Sequence, residues 1–296
     1  MTAARRERAL RLGLPKGSLQ DTTVKLFGLA GWRIRVAERS YYPETDDPEL
    51  DCILIRAQEM ARYVEHGALD CGITGVDWVL ENGAKVKELA DLKAPWPNYR
   101  TVRWLLAVKD GSPFKGVKDL QGKRIATEVT ELTQRYLRRH GVRAEVEFSY
   151  GATEVKPPLL ADAIVDVSET GSSIRANGLR VLDTVLESTP RFIANKRAHA
   201  DVWKRRKMEQ LVLLLRGAIA ALDRVGLMMN VPRTRLDKVL AILPALAAPT
   251  ISALADERWV ALNTVVPERT VREIMPQLCE AGATGIVEYP LNKIVE

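Results

Sequence analysis

The run from Asp162 to Gly178 constrains this chain more than any other stretch. Ala163 to Val167 reads as a short buried strand. Thr170, Gly171, Ser172 and Ser173 then make a tight turn, and Ile174 to Leu179 open a helix. Gly171 tolerates positive φ and lets a ligand approach the backbone, and the two serines are good N-caps. A helix start leaves N–H groups available beside a positive dipole end, so the turn can cradle a phosphate. Asp166 and Glu169 stand at the strand end beside it, where carboxylates accept from vicinal hydroxyls or anchor a magnesium ion. A phosphate cradle next to acids points to a ribose 5-phosphate. The same residues would also make a plain helix cap with solvated acids.

A chain of 296 residues has room for two or three domains. Apolar content of 46 % and charged content of 28 % are those of a globular protein. The net charge of +6 suits polyanions. The basic residues are dispersed, aromatics are only 6 %, and no nucleic-acid motif appears, so small anions are expected rather than nucleic acid. Cys52, Cys71 and Cys279 stand far apart without a CxxC, which argues for buried reduced thiols in a cytoplasmic protein and against disulfides or a zinc site. His66, His140 and His199 are isolated as well. No signal peptide is expected, and no run of about 18 apolar residues exists to cross a membrane.

In chain order, residues 1 to 8 read as frayed and Leu10 to Leu14 as a first strand. It ends in Pro15, Lys16, Gly17 and Ser18 before a helix over Asp21 to Gly31, so Lys16 sits at an anion-receptive turn or is a solvated loop cation. Leu50 to Arg56 is a strand, Gln58 to His66 a helix, Ala68 to Thr74 a strand, and Gly75 to Leu80 a helix. Thr74-Gly75 runs to Asn82-Gly83 as Thr170-Gly171 runs to Asn177-Gly178, which points to two similar α/β lobes or to common turn chemistry. Pro95 to Asn98 is a loop. Val102 to Val108, Arg124 to Thr127 and Ala144 to Ser149 are strands, with a helix over Thr130 to His140. Val181 to Ser188 and Arg191 to Ala194 return as strands that cross back to the first lobe. Alternating β and α units predict parallel sheets with ligands at the strand C-terminal ends. Lys204 to Gly226 reads as one long helix. After it the order is β-α-β-β-α-β, the split ferredoxin-like pattern: strand 227–231, helix 234–243, strands 249–255 and 259–266, helix 268–281, strand 284–295.

Taken with Gly151 to Val155, Ala161 to Leu179, Tyr63 to Trp78, Leu14 to Gly17 and the tail from Gly285 to Leu291, the chain resembles the long form of ATP phosphoribosyltransferase. The resemblance runs from about Leu10 to Glu296. It implies an α/β fold: a two-lobed core like a periplasmic binding protein, and a C-terminal ferredoxin-like (ACT-like) α+β domain. Lobe I would span 1–104 with a return segment 187–205, lobe II 105–186, and the regulatory domain 211–296. It implies transfer of the phosphoribosyl group from phosphoribosyl pyrophosphate to N1 of ATP with magnesium, and inhibition by histidine, in a homo-oligomer (dimer or hexamer). Glu169, Thr170, Gly171, Ser172 and Ser173 would grip the 5-phosphate, with Asp166 and Glu154 on the ribose hydroxyls. Lys16, Gly17, Arg56, Asp70, Thr74 and Gly75 would form the wall facing ATP and pyrophosphate, and Lys16 and Asp166 would serve catalysis. Asn230 and Thr250 would hold histidine. Many relatives carry arginine where this chain has Ser18. The readings in competition are a solute-binding or effector-sensing module without catalysis, and the short catalytic form with a separate regulatory subunit.

Overall fold

The computed structural model describes residues 8–96, 99–244 and 248–295. All but Arg8 of the expected frayed segment 1–8, and Pro97 and Asn98 of the expected loop, lie outside the described residues. The chain divides into two compact units: the second takes the chain from Leu213 onward together with Leu29–Gly31, so the boundary falls inside the long helix Val202–Ala221.

The first unit contains two five-stranded sheets and a two-stranded ribbon. The chain runs through β1 (Leu10–Lys16), α1 (Gln20–Ala30), the ribbon β2 (Ile34–Arg35) and β3 (Glu44–Thr45), β4 (Leu50–Arg56), α2 (Ala57–Glu65), β5 (Cys71–Gly75), α3 (Val76–Glu81) and β6 (Lys87–Asp91). It continues through β7 (Val102–Lys109), β8 (Arg124–Thr127), α4 (Thr130–Arg139), β9 (Glu145–Phe148), β10 (Ala163–Ser168), α5 (Ser172–Ala176), β11 (Leu179–Ser188), β12 (Pro190–Ala194), α6 (Lys196–Ala200) and α7 (Val202–Ala221). The sheet of the first lobe has the order β4-β1-β5-β12-β6, and that of the second β9-β8-β10-β7-β11. The two orders are the same. Each lobe has a parallel core, and its fourth strand is antiparallel to both neighbours. The Thr-Gly echo therefore has a structural basis, since Thr74-Gly75 and Thr170-Gly171 lie at the ends of β5 and β10, the middle strands of equivalent sheets. Every residue of β5 is buried, as expected of a strand covered on both faces.

Several boundaries differ from expectation. The reversed strands are exchanged between lobes: β7 belongs wholly to the second sheet and only β12 returns to the first. The crossings thus fall before Val102 and at Thr189, not at 104 and 186. The helix expected from Ile174 to Leu179 ends at Ala176, because Gly178 adopts φ +64° and Leu179 starts β11. β5 starts at Cys71 rather than Ala68. The helix expected to reach Gly226 stops at Ala221, and Gly226 lies in a strand hydrogen-bonded on both sides.

The second unit carries β13 (Arg224–Pro232), α8 (Leu236–Leu240), β14 (Thr250–Ala253), β15 (Trp259–Pro267), α9 (Glu268–Ala281) and β16 (Thr284–Pro290). Its antiparallel order β14-β15-β13-β16 is that of a ferredoxin-like fold. Alternation along β13 sends Leu227, Met229 and Val231 into a core with Val239, Leu262, Val271 and Leu278. Met228 and Asn230 face the other way. The first helix is shorter than 234–243, and the last strand ends at Pro290, not 295.

Candidate active site

A cleft of about 230 Å³ opens between the two lobes at the C-terminal ends of their parallel strands. Lys16 and Arg56 end β1 and β4, which run side by side in parallel, and the two residues are register partners. That pairing puts two cations on one wall, beside Gly17 and Gly75. The Lys16 ammonium lies 3.8 Å from the centre of the Tyr41 ring, a cation–π contact that orders a long side chain. Arg100 reaches the same cleft from the crossing segment, its Nε donating to the Pro95 carbonyl at 2.7 Å. Sequence reasoning missed Arg100. Its signal was there: a basic residue in a Pro-rich crossing between two sheets.

The opposite wall comes from the second lobe, through Glu128 and Val167 among others; the expected residues Glu154, Asp166, Glu169, Thr170, Gly171, Ser172 and Ser173 adjoin this wall in the chain but do not line the cleft itself. Asp166 is half-buried on β10, and its carboxylate accepts the Val167 N–H at 2.8 Å. Burial, reinforced by the carboxylates of Glu154 and Glu128 beside it, pushes Asp166 up to about 6. Glu128, raised by its own burial, lines the cleft and was also missed. Glu154 sits in the 3₁₀ turn Thr153–Val155, held through Ser149, whose hydroxyl meets Thr153 Oγ1 at 2.8 Å and accepts from Lys156 Nζ at 2.5 Å. The turn after β10 has its glycine in the expected left-handed form, but Gly171 itself holds the N-cap position and neither Ser172 nor Ser173 caps α5, both lying within its first turn. Gly171 adopts φ +73°, and its N–H donates to Ser168 Oγ at 2.8 Å. Thr170 Oγ1 donates to Ser172 Oγ at 3.0 Å, and Arg175 donates to the Thr170 carbonyl at 3.2 Å. Glu169 precedes this turn, half-buried, and Ser172 and Ser173 begin α5.

Three expected site residues stand differently. Thr74 is fully buried and its hydroxyl donates to the Ala57 carbonyl at 2.7 Å, so it fastens β5 to the start of α2. Asp70 precedes β5 and Gly75 ends it, roughly 16 Å apart at strand rise. Burial works against its charge, but Arg11 and Lys204 outweigh it and hold the carboxyl below its ordinary range, with Lys204 Nζ at 2.7 Å. Asp70 is thus a buried ion-pair centre at the end of the sheet away from the cleft. Gly75 lines the cleft, but the space a side chain would take is filled by Asp77.

In the second unit, Asn230 lies inside β13 rather than in a loop after it, and Thr250 opens the edge strand β14. Asn230 is opposite Ala261, which is opposite Ser252, whereas Thr250 is opposite Asn263. Both side chains share the face of the sheet away from the helices, with β15 between them.

Residues 56–217 match the family model described as "HisG: ATP phosphoribosyltransferase", and residues 221–293 match "HisG, C-terminal domain". The ATP phosphoribosyltransferase of Thermodesulfovibrio yellowstonii is 56 % identical over 290 residues, 98 % of this chain and 99 % of that protein. That of Pelodictyon phaeoclathratiforme is 58 % identical over 287 residues, 97 % and 98 % of the two chains. Among solved structures, a chain of the ATP phosphoribosyl transferase (HisG:HisZ) complex from Thermotoga maritima superposes with TM-score 0.60 at 28 % identity, over 70 % of this chain and 96 % of that one. Two family models and near-complete relatives agree, and the chain belongs to the ATP phosphoribosyltransferase family, in the long form with the HisG C-terminal domain.

Proposed function

We propose that the cleft joins N1 of ATP to C1 of phosphoribosyl pyrophosphate, and that histidine acting at the C-terminal unit inhibits it. The observation that carries the reading is the charge division at the cleft: Lys16, Arg56 and Arg100 line one side and Glu128 the other, with the carboxylates of Asp166 and Glu154 gathered behind Glu128. The turn from Thr170 to Ser173 takes the 5-phosphate, and Asp166 and Glu154 accept from the ribose hydroxyls. In the reaction the C1–O bond to pyrophosphate breaks as the N1–C1 bond forms, and the electron pair leaves on pyrophosphate. N1 needs no deprotonation, so alignment and stabilisation of the leaving group do the work. Lys16, with the cations beside it, neutralises the departing pyrophosphate. Asp166, ionised, faces the positive charge that develops at the ribosyl centre.

Magnesium, when bound, supplies further neutralisation of pyrophosphate. Among the described residues no three His, Cys, Asp or Glu side chains group to hold a metal. That donor set fits an ion carried largely by the pyrophosphate and water, with Asp166 or Glu154 as a partner. Among the described residues no helix is long and apolar enough to cross a membrane. Burial pushes the Cys52 thiol up to about 12, and Cys71 is buried too, so neither is a nucleophile; Cys279 is exposed, against the expectation that all three would be buried, and free thiols of this kind suit the cytoplasm. Histidine is held on the outer face bearing Asn230 and Thr250, completed by a second copy in a homo-oligomer.

The test is pyrophosphate release with both substrates present and with each omitted, followed by identification of the nucleotide product. Release only with both, together with phosphoribosyl-ATP, is expected. Tight binding without turnover would leave the solute-binding reading in its place.

A further inference from the structure

Helix α4 lacks a cap of its own, since Val129 before it offers no side-chain acceptor. Its first N–H groups are met from the opposite lobe. Glu81, the last residue of α3, accepts from the N–H of Glu131 at 3.1 Å and of Leu132 at 2.8 Å, with the Thr130 hydroxyl at 3.4 Å. Alongside it, Arg135 of α4 donates to the carbonyl of Leu80. A carboxylate at a helix start satisfies orphan donors and complements the dipole at once. Here it does so across the cleft. Glu128, which lines the cleft, stands one residue before Val129. The same contact therefore anchors the segment that carries Glu128 into the cleft that Arg56 and Gln58 line from the other wall.

We propose that Glu81 is a positioning residue for phosphoribosyl transfer: by capping α4 from the first lobe, it holds the two walls at the separation that binds both substrates. This rests on the function proposed above. It carries a quantitative signature. A residue that touches one substrate changes the affinity for that one. A residue that sets the population of the closed arrangement divides every apparent affinity by the same factor. Without Glu81 the α4 N–H groups are better served by water, which reaches them when the lobes part.

The experiment uses the full chain with Glu81→Ala and Glu81→Gln. Calorimetry gives the affinities for phosphoribosyl pyrophosphate alone and ATP alone, steady-state kinetics gives both KM values and kcat, and small-angle scattering gives the radius of gyration. Glu81→Ala is expected to weaken both substrates by one common factor, about fivefold to twentyfold, and to enlarge the free protein. Glu81→Gln keeps one acceptor oxygen and should fall between. Arg135→Ala tests the same bridge from the other lobe, should show a smaller common factor, and serves if Glu81→Ala does not fold. Weakening of one substrate only, or a lower Tm with unchanged affinities, would overturn the proposal and leave Glu81 a helix cap. If the parent protein makes no phosphoribosyl-ATP, the proposed function fails, while the common factor can still be read from binding alone.

Discussion

The carboxylate of Asp77 accepts the indole N–H of Trp104 at 2.8 Å, which ties α3 of the first lobe to β7 of the second. Asp77 is buried, and that burial raises its pKa despite the bonds from Trp104 and the Trp78 N–H. The two indoles meet edge to face, 5.8 Å between centroids.

Trp104→Phe should keep most of this packing and remove the donor. The unmet carboxylate should cost about 1–3 kcal/mol. Gly75→Ala should act on the same group, because a Cβ there would stand 2.0 Å from Oδ1 of Asp77. Denaturant unfolding measures both. An unchanged midpoint for Gly75→Ala would mean that Gly75 is small for the ligand's sake and not for Asp77's.

Asp166→Asn should lower turnover roughly 10- to 100-fold, the loss of a charged acceptor. Its effect on stability has the opposite sign. With its carboxyl raised to about 6, the folded protein keeps a proton that the unfolded chain has already lost. The stability this contributes is present below the unfolded value and vanishes as pH rises through about 6. Asp166→Asn should therefore melt higher than the parent near pH 8, with the gap closing towards pH 4. The parent's kcat/KM for phosphoribosyl pyrophosphate should fall on the acid side of about pH 6. A flat profile there would remove Asp166 from the reaction.

Gly171→Val puts a branched side chain at φ +73°, where an added Cβ would also meet the Arg175 guanidinium at 3.0 Å. The left-handed conformation alone costs about 1–2 kcal/mol. The affinity for phosphoribosyl pyrophosphate should drop about tenfold or more while ATP binding changes little. Calorimetry that found both weakened equally would point to misfolding of the turn.

Histidine inhibition should weaken roughly tenfold in Thr250→Ala and in Asn230→Ala, read as each variant's rate with histidine relative to its rate without. Since β15 separates the two positions, the double variant should lose more than either alone. A parent enzyme indifferent to millimolar histidine would end the idea.

The alternation of strands and helices, the glycine turn after β10 and the ferredoxin-like order were all legible because each is local: a run of apolar residues, a glycine with positive φ, a change of period; the serine cap expected there was not found, since Gly171 takes the N-cap position. Even the short α5 was in reach, for the Asn177-Gly178 stop that supports the echo already ends that helix before Leu179. What could not be read are partnerships across the cleft. Nothing in the spacing of Asp77, Trp104 and Ser188 announces that they meet, and Glu81 has no local sign of capping a helix almost fifty residues on. Asp70 failed for a related reason. Its neighbours Thr74 and Gly75 carry the motif, but a strand has two ends, and Arg11 and Lys204 are found only once the sheet is assembled.

The exchanged strands also set the order in which the lobes can be completed during synthesis. All five strands of the second sheet lie between Val102 and Ser188. The first sheet is interrupted: β6 pairs only with β12, and β12 is made last. While the ribosome works through the second lobe, β5 has an open edge and β6 has no partner. The lobe encoded first is thus the lobe finished second, and its exposed strand edges are where a nascent chain would call on a chaperone.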